Sequence, residues 1–219
     1  MNGGESNSFC TLSENTRHDP KAIVAHLEPV LTKYLLRKPH VDTIFYMSDG
    51  PVTQYRTRDL CILVTQYLTE RFPQIRHIEW IFSESGHGKG EADGVGGTTK
   101  RTADNAVAHG QDVDSIEKLS ALLSDRCPSV WYYVVKTEDI KKVDSVYVPE
   151  TSVVKGTLKI HHWIWSKDRE LEIVFKRLKC TSCTEVEGCD HFIIGGGPWI
   201  IPSKRGKAKF KKTAAQTKK

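Results

Sequence analysis

No hydrophobic run in this chain is long enough to cross a membrane. The longest apolar runs, such as residues 130–135, fall far short of the roughly 20 residues that a spanning helix needs. The N-terminal residues also lack the positively charged stretch and apolar core of a secretory signal peptide. The sequence thus implies no membrane partner, and we expect a nuclear or cytoplasmic protein that is not secreted.

Cysteine is too sparse and too unevenly placed for a disulfide framework. Only six cysteines occur in 219 residues, and three of them cluster at positions 180, 183 and 189. Thiols stay reduced in the nucleus and cytoplasm, so such a cluster favours metal binding over disulfide bonds. The sequence also has no internal repeat.

Basic charge is concentrated at the C-terminal end. The net charge of +5, with 38% apolar and 27% charged residues, is typical of a globular protein with one domain, with or without appendages. Residues 204–219 contain eight lysines or arginines and no acid. We expect residues 201–219 to form a disordered basic tail, which could be a solvated end, a nuclear import signal or a segment that grips phosphates.

Helical and strand-like patterns alternate along the first 150 residues. Apolar spacing predicts helices over residues 19–36, 58–71, 98–109, 114–124 and 138–142, and strands over 41–47, 77–82 and 129–135. This order predicts an α/β domain with parallel neighbouring strands, in which ligands bind at the carboxyl edge of the sheet. Asp49 and the glycine-rich stretch 86–96 both lie at that edge. Residues 114–142 could extend that sheet or form a small annex.

The composition changes after about residue 150. Residues 157–180 are typical of a β-hairpin around a polar turn at 166–169, in which alternation puts His162 and Trp163 on opposite faces. We therefore divide the chain into an N-terminal segment with a remnant strand (1–18), an α/β core (19–150), a hairpin with a Cys/His region (151–200) and the basic tail (201–219).

Asp49 and Asp93 could form a metal site at the sheet edge. Carboxylates at the ends of separate strands are the ligands that Mg²⁺ or Mn²⁺ takes, and paired metals could activate water for phosphodiester cleavage. The structural alternative is that Ser48-Asp49-Gly50-Pro51 is simply a turn and that Asp93 caps a helix.

The sequence GHGKG at 86–90 is not a phosphate-binding loop of the Walker type. That pattern needs a glycine at position 83 and Ser or Thr after Lys89, whereas the chain has Ser83 and Gly90. Lys89 could still contact a phosphate, and His87 could be a general base, a metal neighbour or a structural hydrogen-bonding group. No small-molecule substrate is indicated.

Cys180, Cys183, Cys189 and His191 have the residue types of a tetrahedral zinc site. The first two are three positions apart, while the second pair has a tight gap of one residue. Four protein ligands would leave no open position, so such a zinc would be structural. The alternative is a set of reduced surface cysteines.

Several motifs resemble a group of uncharacterised animal proteins derived from transposable elements. These motifs are SFCTLSE at 8–14, FYMSDGPVTQYR at 45–56 and FSESGHGKGEADGVGGTTKR at 82–101, and the resemblance spans residues 8–195. The central region of that group is similar to the RNase H-like fold of DDE/D transposases and integrases. The resemblance therefore implies a layered α/β sheet with flanking helices, plus a small β-rich C-terminal region.

The resemblance also implies roles for the acids. Asp49 matches the acid after the fourth strand of that fold, Asp93 matches the acid at its last catalytic helix, and Glu84 is a reserve for the third position. The first strand of such folds carries another catalytic acid, which this sequence lacks. We therefore expect an incomplete, N-terminally truncated RNase H-like sheet.

Two functions follow as expectations. The first is a transposon-derived fragment with an ancestral DNA cleavage and strand-transfer activity that is inactive alone. The second is a nucleic-acid or chromatin-binding module that uses the basic tail and a structural zinc. In either case the expected partner is DNA, contacted by Lys89, Lys100, Arg101, Lys204, Arg205, Lys207, Lys209, Lys211 and Lys212.

Overall fold

The computed structural model describes residues 6–49, 54–83, 90–149, 156–183 and 189–195. This part of the chain is mixed α/β, which confirms the predicted class. The helices are α1 (Pro20–Arg37), α2 (Arg58–Ile62), a π-helical segment (Leu63–Leu68), α3 (Thr69–Arg71), α4 (Glu91–Ala108), α5 (Ile116–Arg126) and α6 (Thr137–Asp144). Single 3₁₀ turns lie at Thr157–Lys159 and Lys167–Arg169.

The strands form two sheets. A two-stranded parallel sheet pairs β1 (Ser8–Leu12) with β4 (Val130–Val134). A five-stranded sheet has the order β2-β3-β5-β6-β7, with strands at Thr43–Ser48, His77–Phe82, His162–Ser166, Ile173–Lys176 and Ile193–Gly195. Strands β2 and β3 are parallel, as the alternation predicts, whereas β3, β5, β6 and β7 pair antiparallel. The predicted hairpin β5–β6 thus continues the sheet of β2 and β3.

One face of the larger sheet carries the apolar core. Alternate residues of β3, namely Ile78, Trp80 and Phe82, point to this face because successive side chains of a strand lie on opposite sides. Tyr46, Trp80 and Trp163 are cross-strand neighbours. The ring centroids of Tyr46 and Trp80 are 4.6 Å apart, and those of Trp80 and Trp163 are 5.9 Å apart. Buried residues of α1 and of the helical stretch 58–71 cover this aromatic row.

Helix α1 begins as its sequence predicts. The side chain of Asp19 accepts hydrogen bonds from the backbone N–H groups of Lys21 and Ala22, and Pro20 occupies the first turn, where its missing N–H costs nothing. Pro29 lies inside the helix, which nevertheless continues to Arg37.

Helix α4 begins at Glu91, seven residues before the predicted start at Thr98. The glycines at 94, 96 and 97 each lower helix propensity by about 1 kcal/mol. Because of them, the helix start was predicted too late in the sequence. The negative side chains of Glu91 and Asp93 favour the first turn because they face the positive end of the helix dipole. Across the described ranges, no helix is long and apolar enough to span a membrane.

Candidate metal centre and the charged face of the sheet

Three cysteines and one histidine converge next to strands β6 and β7 of the larger sheet. Cys180 and Cys183 follow β6, and Cys189 and His191 precede β7, so the antiparallel return of the chain brings the two pairs together. The four ligand atoms all lie within 4.8 Å of one another. We call these four side chains the Cys₃His centre.

The distances suit a tetrahedral zinc ion. The three sulfur atoms lie 3.5, 3.3 and 3.7 Å from His191 Nδ1, for Cys180, Cys183 and Cys189 respectively. Ligands at usual zinc distances of about 2.0–2.3 Å sit roughly 3.5 Å apart at the corners of a tetrahedron. The Cys₃His centre could therefore hold a metal ion such as Zn²⁺, which is the predicted ligand set.

Two of the three thiols, Cys180 and Cys189, have a lowered pKa, which favours the metal-binding thiolate. Backbone N–H groups of Ser182 and Cys183 lower the pKa of Cys180 because they stabilise a thiolate. Hydrogen bonding to Cys189 and Cys180 raises the pKa of Cys183 to about 11. Cys180 is thus favoured to ionise, whereas Cys183 is favoured to keep its proton. The thiolate is the form that binds metal.

The Cys₃His centre is attached to the sheet by its backbone. Lys176 is 2% exposed, and its Nζ donates a hydrogen bond of 2.7 Å to the carbonyl oxygen of Cys189. The backbone N–H of Arg177 donates to the carbonyl oxygen of Phe192 at 2.8 Å. The second half of the centre, Cys189 and His191, is therefore held to the end of β6.

Beneath this segment lies the second face of the larger sheet, which is unusually polar. Glu79 on β3, His162 on β5 and Lys176 on β6 are all buried there, and we call this the charged face. His162 Nε2 lies 2.8 Å from Glu79 Oε2, and His77 Nε2 lies 3.3 Å from Glu79 Oε1. Lys179 Nζ approaches Glu79 Oε2 to 3.5 Å. Buried charges are tolerated only when they are paired in this way.

These partners determine the ionisation of Glu79. Burial raises the pKa of its carboxyl, but hydrogen bonds from His162 and His77 and the nearby positive charge of Lys179 outweigh burial and lower the pKa to about 2. Glu79 was not predicted as a site residue. The one signal in the sequence was an acid in the middle of an apolar strand, HIEWIF.

The predicted carboxyl edge of the sheet exists between β2 and β3. Strands β2 and β3 end side by side, because Ser83 N–H donates to the carbonyl oxygen of Ser48 at 2.9 Å. Asp49 follows β2 and is exposed. The pKa of Tyr55 is raised mainly by burial and further by the nearby negative charge of Asp49. Asp93 lies exposed in the first turn of α4. Where the structure is described, the Cys₃His centre is the only group of three or more metal-ligating side chains whose ligand atoms lie close enough together to hold one metal ion.

The other predicted residues divide into two sets. Lys100 and Arg101 are exposed on α4. Glu84, His87 and Lys89, and the cations Lys204, Arg205, Lys207, Lys209, Lys211 and Lys212, lie outside the described residues.

These features define a mixed α/β protein with a candidate zinc centre on one face of its larger sheet. The chain belongs to the DUF8701 family, a domain of unknown function, whose family model matches residues 2–176. No curated protein and no solved structure matches the chain. The matched region contains the charged face as far as Lys176 and ends just before the Cys₃His centre.

Proposed function

We propose that this protein is a nucleic-acid-binding module in which a structural Zn²⁺ ion organises the chain that follows β6. The observation that carries the proposal is the convergence of four protein ligands in the Cys₃His centre. A zinc ion with four protein ligands has no open position for water or substrate, so its role is to stabilise structure rather than to catalyse.

Positive charge on both sides of the centre supports a polyanionic partner. Arg177 and Lys179 are exposed next to Cys180, and eight further lysines or arginines follow in residues 204–219. Lysine and arginine bind nucleic acid largely by releasing the cations condensed on its phosphates. An ordered centre joined to a basic segment would combine a fixed contact surface with strong electrostatic affinity.

The test measures DNA affinity as a function of salt concentration for the full chain and two variants. Deleting residues 204–219 should reduce the slope of log K against log salt by several units, because each phosphate contact contributes about 0.9. Cys180→Ser should lose zinc and weaken binding, whereas Cys10→Ser, a half-buried cysteine outside the centre, should do neither. A deletion variant with an unchanged slope, together with a Cys180→Ser variant of unchanged affinity, would contradict the proposal.

The sheet edge favours a second candidate, a transposon-derived RNase H-like domain with a remnant of a metal-dependent DNA cleavage site. The supporting observation is that β2 and β3 are parallel neighbours whose carboxyl ends meet at Ser48 and Ser83, so that Asp49 directly follows this edge. Such a fragment is expected not to cleave DNA alone. Mg²⁺ or Mn²⁺ should raise the melting temperature of the wild type but not of Asp49→Asn plus Asp93→Asn, and equal increases would reject the acid site.

A further inference from the structure

Phe192 has an unusual backbone conformation beside the Cys₃His centre. Its φ of 64° lies in the left-handed region, and among the described residues it is the only one other than glycine with a positive φ. This conformation costs a side chain with a Cβ roughly 1–2 kcal/mol, so surrounding contacts must hold it. Two do so: Arg177 N–H donates to the Phe192 carbonyl oxygen, and the adjacent His191 belongs to the centre.

The strained backbone does not bury the aromatic ring. Phe192 is 43% exposed, although an aromatic side chain gains most of its stability from burial. Its ring lies beside His191, with the two centroids 6.3 Å apart and the planes inclined at 51°. The conformation therefore presents a flat apolar face to solvent at a fixed position.

Two exposed cations follow β6, one of them bonded through its backbone to Phe192 and the other in contact with a second exposed aromatic side chain. Arg177 is exposed and is bonded through its backbone to Phe192, and Lys179 lies two residues further on. Lys179 Nζ is 5.0 Å from the ring centroid of Phe45, which is 56% exposed on β2. Asp190 is the single acid among the described residues from Arg177 to Gly195, and the sequence has two more acids in this interval, Glu185 and Glu187. We call Phe192, Arg177, Lys179 and Phe45 the basic-aromatic surface.

We propose that the basic-aromatic surface binds single-stranded nucleic acid, with an unpaired base stacked on Phe192 and a neighbouring phosphate held by Arg177. This inference rests on the proposed function and specifies its ligand. Exposed aromatic rings alternating with cations match a single strand, because its bases offer free faces and its phosphates offer charge. A duplex hides those faces between base pairs, so it would use only the cations.

The experiment compares an oligonucleotide of about 12 nucleotides with its duplex, at one salt concentration, using the full zinc-loaded chain. The wild type should bind the single strand more tightly. Phe192→Leu should weaken single-strand binding by about 5- to 100-fold, which is the usual effect of losing one stacked base, and leave duplex binding nearly unchanged. Phe192→Tyr keeps an aromatic face and should restore the single-strand preference.

A salt titration separates stacking from charge. Phe192→Leu should leave the salt slope of single-strand binding unchanged, while Arg177→Gln should reduce it by about 1. Leucine keeps a Cβ and apolar bulk at position 192, and equal zinc content in all variants verifies that the centre is intact.

The outcomes distinguish the two proposals. A wild type that binds neither form overturns the nucleic-acid function and this inference with it. Equal affinity for single strand and duplex, unaffected by Phe192→Leu, overturns the stacking inference alone. Self-association of the wild type that Phe192→Leu abolishes, with unchanged nucleic-acid affinity, would assign the surface to a protein contact and also overturn it.

Discussion

Lys176 Nζ donates a hydrogen bond of 2.7 Å to the carbonyl oxygen of Cys189, which joins the buried end of β6 to a residue of the Cys₃His centre. The lysine is 2% exposed, so this contact is made away from water. If the carbonyl oxygen of Cys189 lost this donor, it would stay buried without a hydrogen bond and incur most of its desolvation penalty. The metal centre and the sheet should therefore depend on each other for stability.

Lys176→Met tests this dependence, because methionine keeps the apolar stem and removes the donor. The free energy of unfolding should fall by about 1–3 kcal/mol, and zinc affinity should fall with it. Chemical denaturation with zinc titration measures both. Lys167→Met is the matched control, since Lys167 Nζ also donates to a backbone carbonyl, that of Pro73, but at the surface. Its effect should stay within about 0.5 kcal/mol, and an equal loss in both variants would contradict the argument.

Glu79→Gln should change how stability depends on pH. The pKa of Glu79 is lowered from 4.5 to about 2 in the folded protein, so its ionised form stabilises the fold fully above pH 4.5. That contribution, about 3 kcal/mol, is lost as pH falls towards 2. The difference in unfolding free energy between wild type and Glu79→Gln should therefore shrink across this window.

The unfolding free energies of both proteins are measured by denaturation at the same pH values. Subtracting the variant's value from that of the wild type removes the loss of stability that acid causes in both proteins through the zinc centre. Glu117→Gln serves as a control, since Glu117 is an exposed acid whose ion pair with Lys136 is 3.6 Å long. A difference between wild type and Glu79→Gln that stays constant from pH 6 down to 2 would show that Glu79 is not selectively stabilised as a carboxylate.

Zinc removal should destabilise the protein only when the Cys₃His centre is intact. Purified wild type should contain about one zinc per chain. A chelator should lower its melting temperature by about 5–10 °C, which corresponds to the roughly 2.7 kcal/mol of stabilisation that zinc supplies at about 100 times its Kd. Cys183→Ser should melt at the lower temperature with or without chelator. Cys10→Ser should behave as the wild type, and a zinc content near zero in the wild type would reject the centre.

Ser48→Ala should weaken the carboxyl edge of β2 and β3. The indole N–H of Trp80, a residue that is 2% exposed, donates to Ser48 Oγ at 2.9 Å, and alanine leaves that donor without its partner. We expect a loss of about 1–3 kcal/mol in unfolding free energy. Ser83→Ala is the control at the same edge. It removes the Ser83 hydroxyl, which donates to the Ser48 carbonyl oxygen, but that oxygen still accepts a hydrogen bond from the Ser83 backbone N–H. It should cost less than about 1 kcal/mol, and a reversed order would contradict this account.

Features that depend on local sequence were predicted well. Alternation identified β3 at His77–Phe82, and the side chain of Asp19 together with Pro20 marked the start of α1. The four residues of the Cys₃His centre could be chosen because zinc ligands are restricted to a few residue types, and the antiparallel return from β6 to β7 brings them together.

Features that depend on strand register were not predicted. Glu79 and His162 are 83 residues apart, and they meet because Glu79 lies on β3 next to β5 and faces away from the core. No local pattern specifies that pairing, since one residue of slippage would turn each side chain to the opposite face. The pairing of Asp49 with Asp93 stays a prediction for the same reason, because spacing along the chain does not determine distance in space.

The pairing of β1 with β4 has a consequence for how the chain folds as it is made. Ser13 at the end of β1 donates through Oγ to the carbonyl oxygen of Val135, 122 residues later. At roughly 5–20 residues per second, a ribosome needs about 6–25 seconds to synthesise that interval. During this time β1 has no partner strand, whereas β2 can pair with β3 as soon as Phe82 has been made, so Phe9 and Leu12 wait much longer for their partners than the residues of β2 do.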